Sequence, residues 1–375
     1  MAGQQEIVAR VHEVYRGSGL SKAEFARRIG IDGPKLAKSL TGSRKFSSLE
    51  LALIADLGST TVDWLVTGDK PVALALSHRT SPAAAQALDE VAGETITRLH
   101  ERVDGLRRLG CPLPTIDLPP VPSTGGWVAK SVALAEAFSK LLGQRIGGLS
   151  NSELFDLVEE RFGIEVVVEK LPPGCDGASF SDDGFRGIVL AASDAPFRQR
   201  FTLGHEIGHI AFGHSREAII EGQIDRATTL PEKMANTFAA SWLAPAAEIR
   251  RLIGKKRPAE VFDDLVLHFQ LSPSSMSWRL LNEDLITERQ RQPLGLESAR
   301  RIAMRSGQAA EFTESARQSE LRRSPTRLVN AYLDAYTAGV ATLRPAAALL
   351  GCTVDEVQSF FYEPSPDDMM GKIEG

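Results

Sequence analysis

The spacing of apolar positions divides the chain into blocks of different character. Across residues 5–68 apolar side chains recur every three or four positions in short bursts, which predicts short helices only. Ile7, Val8 and Val11 share one face of a first helix. Ser21 with Glu24 three residues on has capping-box spacing and opens a second, which Gly30 ends. Asp32 caps a third, with Pro34 tolerated in its first turn and Gly42 closing it. A fourth places Leu49, Leu53, Ile54 and Leu57 at helical spacing, and TVDWLVTGD completes the unit.

Over 81–109 the positions Leu88, Ala92, Ile96, Leu99, Val103 and Leu106 step by threes and fours. That stripe fits either a coiled-coil seam, making a homodimer through 81–109, or a helix packed on its neighbours. The stretch CPLPTIDLPPVPSTGG holds five prolines in sixteen residues, so an extended linker and a domain boundary are expected near 111–126. From 127 the pattern predicts two helices (WVAKSVALAEAFSKLLG and SNSELFDLVEERFG) and then two strands, IEVVVEKL and GFRGIVLAA. Between the strands lies the turn-rich PPGCDGASFSDDG. Helices dominate from 197 to 286; residues 287–324 are polar and weakly patterned, and a last helical unit spans about 325–362. The tail EPSPDDMMGKIEG reads as disordered.

The expected fold class is therefore mainly α with a small β-sheet (α+β). Its expected parts are an all-α bundle at 1–70, a helical and Pro-rich linker at 71–126, the sheet-bearing domain at 127–286 and a helical C-terminal region at 287–375.

Composition narrows the setting. Apolar residues make up 43% and charged ones 24%, as in ordinary globular protein. No apolar run approaches the roughly 20 residues of a membrane helix, and the opening MAGQQEIVARVHEVYR lacks the shape of a signal peptide. Cys111, Cys175 and Cys352 are odd in number and far apart, which suits a reducing cytoplasm rather than a disulfide framework. The net charge of -5 argues against a chain that coats nucleic acid along its length. Residues 1–46 nevertheless hold nine Lys/Arg against four acids, so positive charge is concentrated at the front.

The candidate chemistry lies in RQRFTLGHEIGHIAFGH, where His205, Glu206 and His209 form an HExxH motif. On a helix, residues four apart share a face, so both imidazoles can meet one metal ion. Glu206 lies beside them, placed to take a proton from the attacking water rather than to bind metal. One Zn²⁺ per chain suits such donors, and a catalytic site keeps three protein ligands with one position open. His214 comes five residues after His209; at ~100° per residue a continuous helix turns it well away, which excludes the HExxHxxGxxH pattern. The third ligand then comes from a second helix, LPEKMANTFAASWLAP, as Glu232, with Asp225 the strongest alternative and Glu217 and Glu221 weaker ones. Amide hydrolysis also needs an oxyanion donor. No tyrosine occurs between 16 and 331, which leaves His214 or Arg200. A Cys175 thiolate that reaches the zinc from its loop is a further, weaker expectation.

RQRFTLGHEIGHIAFGH followed by PEKMANTFAASWLAP resembles the ImmA/IrrE family of bacterial metallopeptidases over roughly 127–285. In that family a phrase of the form RxRFTLAHELGH precedes E-x-x-A-N-x-F-A-x-x-L-L-x-P. Gly204 stands where Ala is usual and Trp242 where Leu is usual. The resemblance implies a zincin-like fold with His205, His209 and Glu232 as ligands and Glu206 as general base. It also implies cleavage of a repressor or similar transcription regulator in a stress or phage-type response.

GLSKAEFARRIGIDGPKLAKSLTGSRKFSSLELALIADLGSTTVDWLVTG resembles the phage-repressor (XRE/Cro-type) helix-turn-helix family. The resemblance implies that Gly33–Leu40 enters the major groove of double-stranded operator DNA. Lys35 and Lys38 would then reach bases or flanking phosphates, and Arg44 and Lys45 would hold the backbone. Phe46 stands where Pro is common, and Gly33-Pro34 replaces a polar pair that often reads bases. The C-terminal RPAAALLGCTVDEVQSFF shares the rhythm, but Asp355 and Glu356 would repel phosphate, so a packing or partner-binding role is expected there.

Two functions follow from the sequence. One is a DNA-tethered zinc endopeptidase that cleaves a regulatory protein, with self-cleavage in the 111–126 linker as a variant. The other is a transcription regulator whose zinc domain senses a ligand or partner and cuts nothing.

Overall fold

The computed structural model describes residues 4–58, 62–67, 75–78, 82–214 and 229–359. Glu217, Glu221, Asp225 and the tail lie outside those residues. The chain divides into two compact units, 1–72 and 73–375.

In the first unit five helices enclose a small core: α1 (Gln4–Gly17), α2 (Lys22–Arg28), α3 (Gly33–Leu40), α4 (Ser48–Leu57) and α5 (Val62–Thr67). The expected caps are present, with Ser21 Oγ accepting from Glu24 N–H and Asp32 Oδ1 from Lys35 N–H at 2.7 Å. Gly30 takes the left-handed conformation (φ 72°) that lets the chain turn between α2 and α3. Phe25, Ala26, Leu36, Ile54 and Leu65 fill the interior. On α4 the buried face is Leu51, Ile54 and Ala55, while Leu49 is 71% exposed.

The second unit is built on a four-stranded sheet of order β1-β3-β4-β2, with β1 (Ala75–His78), β2 (Glu165–Glu169), β3 (Cys175–Ser181) and β4 (Arg186–Ala191). β2 runs parallel to β4 (Val167 opposite Val189), and β3 is antiparallel to both β4 and β1. Helices surround it: α6 (Pro82–Arg108), α7 (Trp127–Leu142), α8 (Asn151–Phe162), α9 (Pro196–Phe212), α10 (Leu230–Leu243), α11 (Ala246–Ile253), α12 (Phe262–Phe269) and α13 (Pro273–Asn282). The remainder is α14 (Glu288–Gly295), α15 (Ala299–Arg305), α16 (Ala309–Ser319), α17 (Thr326–Thr337), α18 (Arg344–Leu350) and α19 (Val354–Ser359). The protein is thus mainly α with a small sheet, and among the described residues no helix is long and apolar enough to cross a membrane.

Several sequence expectations are refined. The turn-rich segment before β4 contains strand β3. Its Gly177, Ala178 and Ser179 are buried, and a Cβ on Gly177 would lie 2.8 Å from Thr202 of α9. Close packing selects small residues there and hides the strand from a search for bulky alternation. Ala75–His78, inside the expected linker, forms strand β1. The apolar stripe of α6 is buried within the chain: Ala92, Ile96, Leu99, Val103 and Leu106 are at most 5% exposed. Ile96 packs at Gly187 of β4, and the Tyr332 hydroxyl of α17 donates to Arg102 O at 2.7 Å. From Ala92 to Leu106 the stripe thus packs within its own chain, as the packed-helix alternative expects.

Finally, neither 111–126 nor 287–359 separates from the sheet. Arg186 and Arg327 donate to Ile116 O (2.8 Å) and Pro114 O (3.0 Å) and hold the Pro-rich segment down. The weakly patterned 287–324 forms α14 to α16, of which α16 sets Phe312 against Phe197 of α9 at 5.3 Å. Arg323 joins β2 by an antiparallel bridge at Val168 and donates to Glu159 and Asp156, both at 2.6 Å.

Candidate metal centre

α9 is the central helix of the second unit, with apolar residues packed on the sheet and polar ones committed to carbonyls. Pro196 sits in its first turn, and Gly213, left-handed at φ 75°, ends it. Gln199 donates to Ala191 O and Ser319 O, both at 3.0 Å. α10 crosses α9 closely because the contact is made of small residues. A Cβ on Gly208 would meet Ala235 Cα at 3.0 Å, and one on Gly204 would meet Leu243 Cδ1 at 3.1 Å and Ala239 Cβ at 3.3 Å. A side chain at Gly208 would push α10 away, whereas one at Gly204 first meets a side chain that can give.

That close crossing brings Glu232, in the first turn of α10, onto the two histidines. His205 Nε2 and His209 Nε2 are 3.0 Å apart, and each lies 3.3 Å from a different oxygen of Glu232. His205, His209 and Glu232 are the one group of potential metal ligands among the described residues. A tetrahedral Zn²⁺ site with bonds near 2.0–2.1 Å has ligand-to-ligand edges of about 3.3 Å, so the arrangement fits that ion. Two imidazole nitrogens and one carboxylate also suit zinc better than the all-oxygen shells of calcium or magnesium.

Each histidine is held from behind. His205 Nδ1 faces Asn236 Oδ1 at 3.1 Å, so this nitrogen donates to the amide oxygen and the ring is oriented with Nε2 towards the cluster. His209 Nδ1 lies 3.3 Å from His214 Nδ1. Asn236 escaped the sequence reading, although its place four residues after Glu232 puts both on one face of α10.

The electrostatics attract a cation. Burial alone would lower the His205 pKa, but the hydrogen bond with Glu232 and the charges of Glu206 and Glu232 outweigh it and raise the value. Burial likewise works against ionised Glu232, yet its hydrogen bonds with His205 and His209 hold the carboxyl well below the usual range. Glu206 is fully buried beside the ligands on α9.

Of the two expected oxyanion donors, Arg200 is committed to other partners and His214 lies beside the cluster. Arg200 is fully buried and ties α9 to the loop after α7, donating to Leu149 O (3.0 Å) and Ile146 O (2.7 Å). His214 escapes the expected outward direction because the helix stops at Gly213. It stacks on Phe212 (centroids 5.5 Å apart, 20° between planes) and faces His209. Burial, then the neighbouring His209, pull its pKa down to about 4, so it is neutral at physiological pH. Cys175 opens β3 rather than a loop, is buried, and is not one of the clustered ligands.

Residues 159–297 match the Peptidase_M78 family, the IrrE N-terminal-like domain. The M78 match runs from the end of α8 to α14 and contains β2 to β4, the HExxH helix and Glu232. It supports a metallopeptidase domain in this part of the chain and does not extend to the first unit. No curated protein sequence matches the chain.

In the first unit Lys35, Lys38 and Lys45 are exposed, with Lys35 3.3 Å from Asp32. Arg44 is committed. Its guanidinium binds both oxygens of Glu50 (2.9 and 2.7 Å) and Ser39 Oγ (2.9 Å), so it braces α3 against α4 instead of facing phosphate.

Proposed function

We propose that the chain is a zinc endopeptidase joined to its own DNA-binding unit, acting on a regulatory protein. The observation that carries the enzymatic half is the convergence of His205, His209 and Glu232 beside a buried Glu206.

Zn²⁺ held by those three residues supplies a Lewis acid for the scissile carbonyl and lowers the pKa of the attacking water. Glu206 accepts a proton as the water oxygen bonds to the carbonyl carbon, then delivers it to the amine nitrogen as the C–N bond breaks. Asn236 and His214 fix the imidazole planes. Cleavage of a co-expressed candidate regulator by the zinc-loaded protein, and its loss in Glu206→Gln with zinc retained, tests this reading.

The DNA-binding half is supported by the five-helix unit, by α3 spanning the expected Gly33–Leu40 and by the exposed Lys35, Lys38 and Lys45. Its partner is double-stranded operator DNA. A basic recognition helix on a peptidase fits regulation at a promoter, in a stress or phage-type response within the cytoplasm.

One observation favours the non-proteolytic alternative. One of the two expected oxyanion donors, Arg200, is engaged elsewhere, and a regulator that only senses a ligand or partner through its zinc domain needs none. Indifference of the regulatory output to Glu206→Gln is the mark of that alternative.

A further inference from the structure

We propose that the cleft between the C-terminal half of α7 and the start of α11 is a binding site for a small organic anion. The ligand that fits has an apolar body, a hydrogen-bond acceptor within that body and a carboxylate at one end. The proposal goes beyond both functional readings above, because it holds whether or not the domain cuts protein.

The cleft measures about 780 Å³, within the range of roughly 300–1,000 Å³ that small-molecule sites occupy. Val132 and Leu142 of α7, Ile146, Trp242 of α10, Pro245 and Ala246 give it a largely apolar lining, which asks for an apolar ligand body. It is separate from the metal cluster: Glu232 precedes Trp242 by ten residues on α10, about 15 Å of helix.

Two polar groups of the lining lack a partner. Ser241 Oγ and Trp242 Nε1 are both buried out of solvent and make no hydrogen bond, Ser241 being 6% exposed and Trp242 not at all. An indole N–H donates and cannot accept, so it is satisfied only by an acceptor, and a buried donor left bare is destabilising. The ring is held ready for one: it stacks on Phe238 (centroids 6.4 Å apart, 19° between planes) and leans on Phe162 at 5.9 Å. Trp242 stands where the ImmA/IrrE phrase usually has Leu, so this donor belongs to this chain rather than to the HExxH scaffold.

The charges around the cleft favour an anion. Lys140, Arg145 and Arg251 line it and are exposed, which puts cations at its mouth. Arg279 is already engaged by Glu283 at 2.6 Å and by Ala244 O at 2.9 Å. Of the two acids in the lining, Glu248 is taken up by His268 at 3.0 Å and Arg251 at 3.5 Å, which leaves Glu136 against Lys140 and Arg145. A carboxylate at the mouth meets that surplus of positive charge.

The test uses the full-length protein and 4-benzoylbenzoate. Its diaryl ketone supplies the body and the acceptor, its carboxylate supplies the charge, and near-ultraviolet light cross-links it where it binds. It should label one saturable site per chain, with the attached peptides falling within 132–146 and 241–251. Two relatives of the probe each remove one feature. 4-Benzylbenzoate, without the ketone, and 4-methylbenzophenone, without the charge, should each bind about three- to tenfold more weakly by calorimetry. Trp242→Phe keeps an aromatic ring but removes the donor. It should cost the same factor with 4-benzoylbenzoate and nothing with 4-benzylbenzoate. Ala247→Trp, at an exposed position of the lining, fills the cleft without touching the core and should abolish labelling even if Trp242→Phe does not fold. Labelling that does not saturate, that maps elsewhere or that persists undiminished in Ala247→Trp overturns the proposal. An equal loss for both probes in folded Trp242→Phe overturns it as well.

Discussion

Asn236 Oδ1 stands 3.1 Å from His205 Nδ1, four residues along α10 from Glu232. One helix face therefore supplies one candidate ligand and the group that orients another. Removing such a supporting contact weakens metal binding without deleting a donor. Asn236→Leu should lower zinc affinity about 10–100-fold, measured by competition with a chromophoric chelator, with the helical circular dichroism spectrum unchanged.

The crossing of α9 and α10 makes a second expectation. At Gly208 the obstruction to a side chain is backbone, Ala235 Cα at 3.0 Å, whereas at Gly204 the nearest atom is a flexible leucine methyl, Leu243 Cδ1 at 3.1 Å. Gly208→Val should cost about 1–3 kcal/mol of stability and reduce zinc affinity. Gly204→Ala should do little of either. Thermal unfolding of the metal-free proteins separates the packing cost from the loss of zinc.

Buried Glu165 gives a pH expectation. Burial, then the charge of Glu159, raise its pKa to about 8, against the opposing pull of Arg327 and Arg323. Glu159 takes the hydrogen bonds from Arg323 and from the Arg327 amide, so Glu165 is the carboxyl left protonated. A folded pKa above the unfolded one means stability fully present below the ordinary glutamate range and lost as pH rises towards about 8. Urea titrations across that window should show wild-type stability falling while Glu165→Gln stays flatter. Parallel curves contradict the assignment.

The basic residues of the first unit divide into two kinds. Lys38→Ala and Lys45→Ala should each weaken binding to duplex DNA and reduce its salt slope by about 1. Arg44→Ala should act on folding instead, because it leaves the buried Glu50 without its partner, at a cost of about 1–3 kcal/mol. Fluorescence anisotropy at several salt concentrations, beside thermal melts, distinguishes the two.

The His205–His209–Glu232 cluster was largely legible in the sequence because its rules are local. His205 and His209 share a face by spacing, and Glu232 begins the next strongly helical segment. Charge pairing was not legible. A sequence shows that Arg44 and Arg200 carry guanidinium groups but not that Glu50 and the carbonyls of Ile146 and Leu149 occupy them. β3 was missed because its Gly177-Ala178-Ser179 are residues that elsewhere mark turns, and at Gly177 the approach of Thr202 on α9 leaves no room for a side chain. The stripe on α6 was read correctly as apolar, while its partner depended on tertiary structure: the sheet of the same chain.

The central claim is that His205, His209 and Glu232 hold one zinc ion together. Zinc K-edge absorption with metal analysis tests it most directly. Wild type and Glu206→Gln should each bind one equivalent with a first shell of nitrogen and oxygen at about 2.0–2.1 Å, and Glu232→Ala should lose most of that affinity. Zinc retained at full affinity with an unchanged first shell in Glu232→Ala, or absent from wild type, contradicts the account.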